Sequence, residues 1–362
     1  PNVPALRFPE FSGEWETRTI GDDCKILMCK RIFANQTAPE GEVPFYKIGT
    51  IGDKADAYIS KELFDEYKLK YNYPKCGEVM ITCAGTVGKT ILYNGQDAYY
   101  QDSNIVWLSN PKNFYSNAFL NYLLNRVDWS KLNSTTITRI YNDNLRELHI
   151  TFPSRQEQDR IVSLLTKIDE RITVQSKIIE EQETLLKSLA DKLISAQPAN
   201  VALCECVEAK SSTMKESELE SSGEFSVYGA SGLCGFCSDA LEESDSILIT
   251  KDGSGVGTCQ YATEKHSFLG TLCSLSAKEN VYLPYIYYAL LNFNFASYKT
   301  GQAIPHIYFK DYGKATIYCP SYVEQIRIAF GLQKLDAKIN ADIELLRKYR
   351  LQKEFLLSRM FI

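Results

Sequence analysis

The residues most suggestive of chemistry are Cys83-Ala84-Gly85-Thr86-Val87-Gly88-Lys89-Thr90. A Gly-Lys-Thr triplet behind a glycine turn is how a chain wraps nucleotide phosphates. Backbone N–H groups cradle them and the lysine reaches the outer ones. That pattern needs another glycine five residues before Gly88, and Cys83 stands there. A second turn, Lys251-Asp252-Gly253-Ser254-Gly255-Val256-Gly257, keeps the glycines but continues with Thr258-Cys259. The sequence favours a glycine turn between strands, which also lets a backbone approach a DNA phosphate. A nucleotide-binding enzyme using the 83–90 loop is the alternative.

Other reactive residue types are present without a constellation. Cys204, Cys206, Cys234 and Cys237 supply four thiols, but CxC plus CxxC at this separation is not a zinc spacing. Small buried hydrophobes are the expected role, and no metal is expected. The histidines are His149, His266 and His306; none adjoins a nucleophile in a Gly-x-Ser-x-Gly or His-Glu-x-x-His context. His149 reads as structural. Glu208-Ala209-Lys210 echoes a nuclease fragment but lacks a Pro-Asp partner. No catalytic residue and no cofactor in this chain are expected.

Aromatic and polar residues mix in ways that suit base edges and phosphates: Tyr46 with Lys47, Tyr141 with Arg139 and Asn142, Tyr308 with His306 and Lys310. If the chain reads DNA, the expected contacts in the first half are Tyr46, Lys47, Thr86, Lys89, Thr136, Arg139 and Asn142. In the second half they are Tyr228, Lys251, Ser254, Gln302, His306 and Lys310. No arginine lies between Arg171 and Arg327. A reader built there must use Lys, Asn, Gln, Ser, Thr and His, and forgoes the Arg–guanine fork.

What must position these residues is a repeat. FPSRQEQDRIVSLLTKIDERI from Phe152 recurs as CPSYVEQIRIAFGLQKLDAKI from Cys319, without gaps, each residue 167 positions on. Ser154 with Glu157, and Ser321 with Glu324, have capping-box spacing, so each copy should start a helix. Apolar residues then alternate by three and four. The first seam is Ile161, Leu165, Ile168, Ile172, Gln175, Ile179, Gln182, Leu186, Leu189, Leu193. The second is Ile328, Leu332, Leu335, Ile339, Asp342, Leu346, Tyr349, Lys353, Leu356, Met360. These are heptad seams, and each helix is the other's natural partner. Leu165, Ile172, Ile179, Leu186, Leu332, Ile339, Leu346 and Leu356 are the expected packing residues. The polar interruptions Gln175, Gln182, Asp342 and Lys353 are read as solvated margins ahead of register-setting residues.

Shared pieces also precede each helix. Val79–Thr82 and Ile247–Thr250 lead into the two glycine turns. The segment 134–141 answers 301–308 at the same offset. The organisation expected is therefore 1–152 (with an arm at 1–14), a helix at 153–197, a second globular module at 198–318 and a helix at 319–362. The net charge of −5 and pI near 5.5 argue against unspecific coating of nucleic acid but allow a local basic groove. No apolar run reaches a membrane span and no signal h-region opens the sequence, so the 11 cysteines read as reduced thiols of a cytoplasmic protein.

The duplicated Pro-Ser-x-x-Glu-Gln-x-Arg-Ile helix start after two unlike modules resembles the specificity (S) subunits of type I restriction–modification systems. So do Leu6-Arg7-Phe8-Pro9-Glu10-Phe11 with Gly13-Glu14-Trp15, and Leu356-Leu357-Ser358-Arg359-Met360-Phe361. The resemblance spans essentially the whole chain. It implies an α+β architecture: two globular α/β target-recognition domains joined by two long antiparallel coiled-coil helices in a pseudo-twofold repeat. It implies a non-catalytic subunit that recognises an asymmetric bipartite target in double-stranded DNA. Two methylation subunits and restriction subunits would be its partners, and S-adenosylmethionine, ATP and Mg would be bound by them. A coiled-coil adaptor that binds only protein remains a further alternative.

Overall fold

The structure is a computed structural model and describes residues 2–132, 139–301 and 304–362. The chain forms two compact units, Pro1–Thr173 with Arg347–Ile362, and Val174–Leu346. Their boundaries fall inside the long helices, Arg155–Ala190 and Tyr322–Met360, rather than at the helix starts. The reason lies in packing. Ile161 and Leu165 of the first long helix belong to the first unit's core, together with Met360 and Phe361.

Both units use one topology. The first has a four-stranded antiparallel sheet ordered Lys25–Met28, Ile105–Ser109, Val79–Thr82, Thr90–Leu92. The second orders Val207–Ser211, Leu272–Ala277, Ser246–Thr250, Cys259–Ala262 in the same way. Val79–Thr82 and Ser246–Thr250 are buried along their whole length, so they read as unbroken apolar runs rather than alternating strands. Each unit adds a three-stranded sheet with one parallel pair: Val43–Tyr46 beside Tyr99–Tyr100, and Phe225–Gly229 beside His266–Phe268. A two-stranded ribbon leads to each long helix, Glu16–Thr19 with His149–Phe152 and Val201–Ala202 with Thr316–Ile317.

The Glu-Gln pair of the repeated motif fastens each module to its helix. Gln158 accepts a hydrogen bond from the Ser116 N–H (2.8 Å) and donates to the carbonyls of Pro153 (2.9 Å) and Phe114 (3.0 Å). Gln325 accepts from the Tyr282 N–H (2.8 Å) and donates to the Pro320 carbonyl (2.9 Å). Both side chains are buried. About three turns further on, Tyr122 donates to Asp169 (2.6 Å) and Tyr288 to Asp336 (3.2 Å). The capping-box expectation is corrected here. The Glu157 carboxylate is gripped by the Arg7 guanidinium at 2.7 Å, and Glu324 pairs with Arg327 at 2.6 Å. The Arg7–Glu157 contact is a two-bond charged fork, stronger than a bond from a neutral backbone N–H, and the Arg327–Glu324 contact is a single charged bond.

Along the long helices Leu165, Ile179, Leu186, Leu332, Ile339 and Leu346 are buried, and Ile172 and Leu356 half-buried. In the first unit Ile161 shares a core with Met360, while Asp169 pairs with Lys353 at 2.6 Å. Rising numbers on one helix meet falling numbers on the other, so the segments run antiparallel. The first seam slips at its end. A π-turn at Asp191–Ser195 inserts an extra residue, so Ile194 is buried and Leu193 exposed.

Gln175, Gln182 and Asp342 are not at a solvated margin. Gln175 and Asp342 are only 8% and 6% exposed. Gln182 donates to Asp342 at 3.0 Å, and Lys338 bonds the same carboxylate. Lys338, then Gln182, hold the Asp342 carboxyl below its ordinary range. A polar layer inside an apolar seam costs stability and fixes register.

Candidate nucleic-acid interface

The glycine turns join antiparallel strands, Val79–Thr82 to Thr90–Leu92 and Ser246–Thr250 to Cys259–Ala262. A phosphate-binding loop must deliver the chain into a helix whose N–H groups face the phosphates. A hairpin has no such helix, which removes the structural context for nucleotide binding at 83–90. The glycines answer a packing need instead. Gly88 has φ +82°, and a Cβ there would lie 2.0 Å from the Trp129 ring. Gly257 has φ +92°, and a Cβ would meet Phe295 at 2.7 Å. The Thr82 hydroxyl closes the first turn on the Thr86 carbonyl.

In the first unit this turn meets two other segments. A Cβ on Gly85 would stand 2.8 Å from the Ile48 side chain, and the Lys89 ammonium donates to the Ile51 carbonyl at 2.6 Å. The loop after Tyr46 therefore lies against the turn. Tyr46 stacks on Tyr100 with centroids 5.8 Å apart, and Lys47 pairs with Asp56 at 3.1 Å. On the other side the Ile140 N–H donates to the Cys83 carbonyl at 2.9 Å. Beside it, the Arg139 guanidinium lies over the Tyr141 ring, 5.8 Å from its centroid. Tyr46, Lys47, Thr86, Lys89 and Arg139 thus belong to one group of adjoining segments. Thr86 is exposed, and half-buried Asn142 opens the short helix Asn142–Arg146. Thr136 lies outside the described residues.

The second unit repeats the junction. The Ile307 N–H donates to the Lys251 carbonyl at 2.9 Å, and the Gly253 N–H to the Pro305 carbonyl at 3.0 Å. Ser254 is exposed in the turn. His306 and Tyr308 meet edge to face at 5.2 Å, and the Lys310 ammonium lies over the Tyr308 ring at 5.2 Å. Lys251, Ser254, His306 and Lys310 are thereby drawn together. Tyr228 has a different setting. It is half-buried, meets the buried His266 ring at 5.6 Å and packs against Leu248, Ala262, Phe268 and Leu272. Packing occupies this ring rather than solvent. Gln302 lies outside the described residues.

Two rings that the sequence named beside polar residues, but that are not among the expected contacts, stand out. Tyr141 and Tyr308 are 57% and 47% exposed, at equivalent positions of the repeat. Their polar neighbours and the constant offset were the signals that could have placed them among the contacts.

The cysteines do not converge. The Cys234 thiol bonds the Val227 carbonyl (3.3 Å) and Cys237 the Asp239 carbonyl (3.0 Å). Cys206 shares a hydrogen bond with Cys319, which pushes Cys206 up and draws Cys319 down. Among the described residues no three His, Cys, Asp or Glu side chains are grouped to hold a metal. No helix among them is long and apolar enough to cross a membrane.

A Haemophilus influenzae protein described as a putative type I restriction enzyme specificity subunit is 49% identical over 150 residues, covering 41% of this chain and 39% of that protein. A Mycoplasma genitalium putative type I specificity subunit is 30% identical over 176 residues, 43% of this chain and 46% of the other. The matches thus span less than half of either relative. The crystal structure of a type I restriction–modification S subunit from M. genitalium covers 99% of both chains with a TM-score of 0.68 and 22% identity, a likeness of fold. The family described as the type I restriction modification DNA specificity domain matches residues 12–184 and again 201–345, one match for each copy of the repeat, and the chain belongs to that family.

Proposed function

We propose that this chain is the DNA-recognition subunit of a type I restriction–modification complex. Each unit reads one short block of an asymmetric bipartite target in double-stranded DNA. The observation that carries this reading is a repeated scaffold with unlike residues at its half-buried junctions: Arg139 stands against His306. Equivalent positions with different hydrogen-bonding groups read different bases. The long helices act as the spacer and as docking surface for two methylation subunits and for restriction subunits. S-adenosylmethionine, ATP and Mg belong to those partners, and this chain contributes no catalytic group. An acidic chain suits that division, because phosphate neutralisation is then supplied by the partners.

The test is to co-express the chain with its methylation subunit and map methylated adenines across a genome. One asymmetric sequence of two blocks around an unread spacer is expected. Methylation without sequence preference would refute the reading, and a protein-only adaptor would give that result.

A further inference from the structure

Arg139 and His306 occupy the same place in the repeat, 167 residues apart. Each is followed by a buried isoleucine, Ile140 or Ile307, whose N–H is tied to the first or second turn through Cys83 or Lys251. Each is associated with an exposed tyrosine two residues on, Tyr141 or Tyr308. The backbone anchor and the aromatic neighbour are thus common to both, and the side chain at the position differs.

The difference is one of hydrogen-bond polarity. A guanidinium only donates, and its fork fits the O6 and N7 acceptors of guanine. In His306 the Nδ1 atom lies 3.2 Å from the Ile304 carbonyl oxygen, and the Thr300 and His306 backbones bond each other in both directions. A carbonyl oxygen can only accept, so Nδ1 carries the proton. In the neutral ring Nε2 is then a lone-pair acceptor. Nε2 has no bonding partner among the described residues. An unpartnered acceptor brought to the major groove fits an exocyclic amino group, N6 of adenine or N4 of cytosine.

We infer that position 139/306 is a base-reading position of opposite polarity in the two units: Arg139 takes a guanine, and His306 takes the amino group of an adenine or cytosine. The inference rests on the DNA-recognition reading above and assigns base chemistry within it.

The experiment selects bound duplexes from a randomised pool, using the full chain assembled with its methylation subunit. Wild type, His306→Arg and the reciprocal Arg139→His are compared. His306→Arg should change one base in one half-site from adenine or cytosine to guanine, with a preference of about tenfold or more. Arg139→His should relax a guanine in the other half-site and leave the first untouched. The thermal midpoints of both variants should stay close to wild type, since neither residue is in the core. A wild-type complex that selects no sequence overturns the DNA-recognition reading itself. A sequence-selective wild type whose half-site is unchanged by His306→Arg overturns this inference alone. So does a variant that loses all binding while keeping its thermal midpoint.

Discussion

Replacing Gln158 by leucine should destabilise the first unit by about 2–4 kcal/mol. Leucine has similar volume and suits burial, so the loss measures hydrogen bonding alone. It strands the Ser116 N–H and the Pro153 carbonyl in a buried site and leaves the part-buried Phe114 carbonyl without its partner. A stranded buried polar group costs about 1–3 kcal/mol, and relaxation recovers part of the sum. Gln325→Leu should act likewise on the second unit. Exposed Gln156, two residues earlier, is the control; Gln156→Leu should change stability by no more than about 0.5 kcal/mol. Urea denaturation of the three variants decides the matter. Equal, small effects at all three positions would mean the glutamine is not a clamp.

The second large effect concerns spacing. Matched seven-residue deletions, one near Gln175 and one near Leu346, remove two turns from each helix and keep the heptad phase. At 1.5 Å per residue each helix shortens by about 10 Å, which is about three base pairs at 3.4 Å per step. In an assembly that still forms, the unread spacer should shorten by about three base pairs, with both half-site sequences unchanged. A deletion of four residues breaks the seam and should abolish assembly. An active complex with unchanged spacing would contradict the spacer role of the helices.

Much of this was legible in the sequence because it is local or repeated. The seams at Ile161–Leu189 and Ile328–Met360 follow a period that needs no tertiary knowledge, and the offset that pairs Gln158 with Gln325 is visible by alignment. The glycine turns were recognisable as turns between strands, since the second lacks the Gly-Lys-Thr triplet. What escaped depends on distant partners. Arg7 reaches Glu157 across 150 residues, so no window of sequence could show that it displaces the capping box. The burial of Gln175 and Asp342 depends on which helix faces which, and polar residues in a seam read as margins until a partner covers them. Tyr228 and Tyr308 are the same residue type in similar company; only the sheet decides that one ring turns to the core and the other to solvent. The π-turn at Asp191–Ser195 has no periodic signature, which is why the seam was carried one residue wrong, to Leu193 instead of Ile194.

The central claim is that like parts of the repeat are scaffold and unlike parts carry specificity, one unit per half-site. The direct measurement is a genome-wide map of methylated adenines for complexes carrying wild-type chain or Arg139→Ala. Loss of a guanine fork removes about 1–3 kcal/mol of discrimination at one base. The account predicts that one base in one block becomes degenerate, while the other block and the spacer are unchanged. Equal loss of selectivity across both blocks would contradict it.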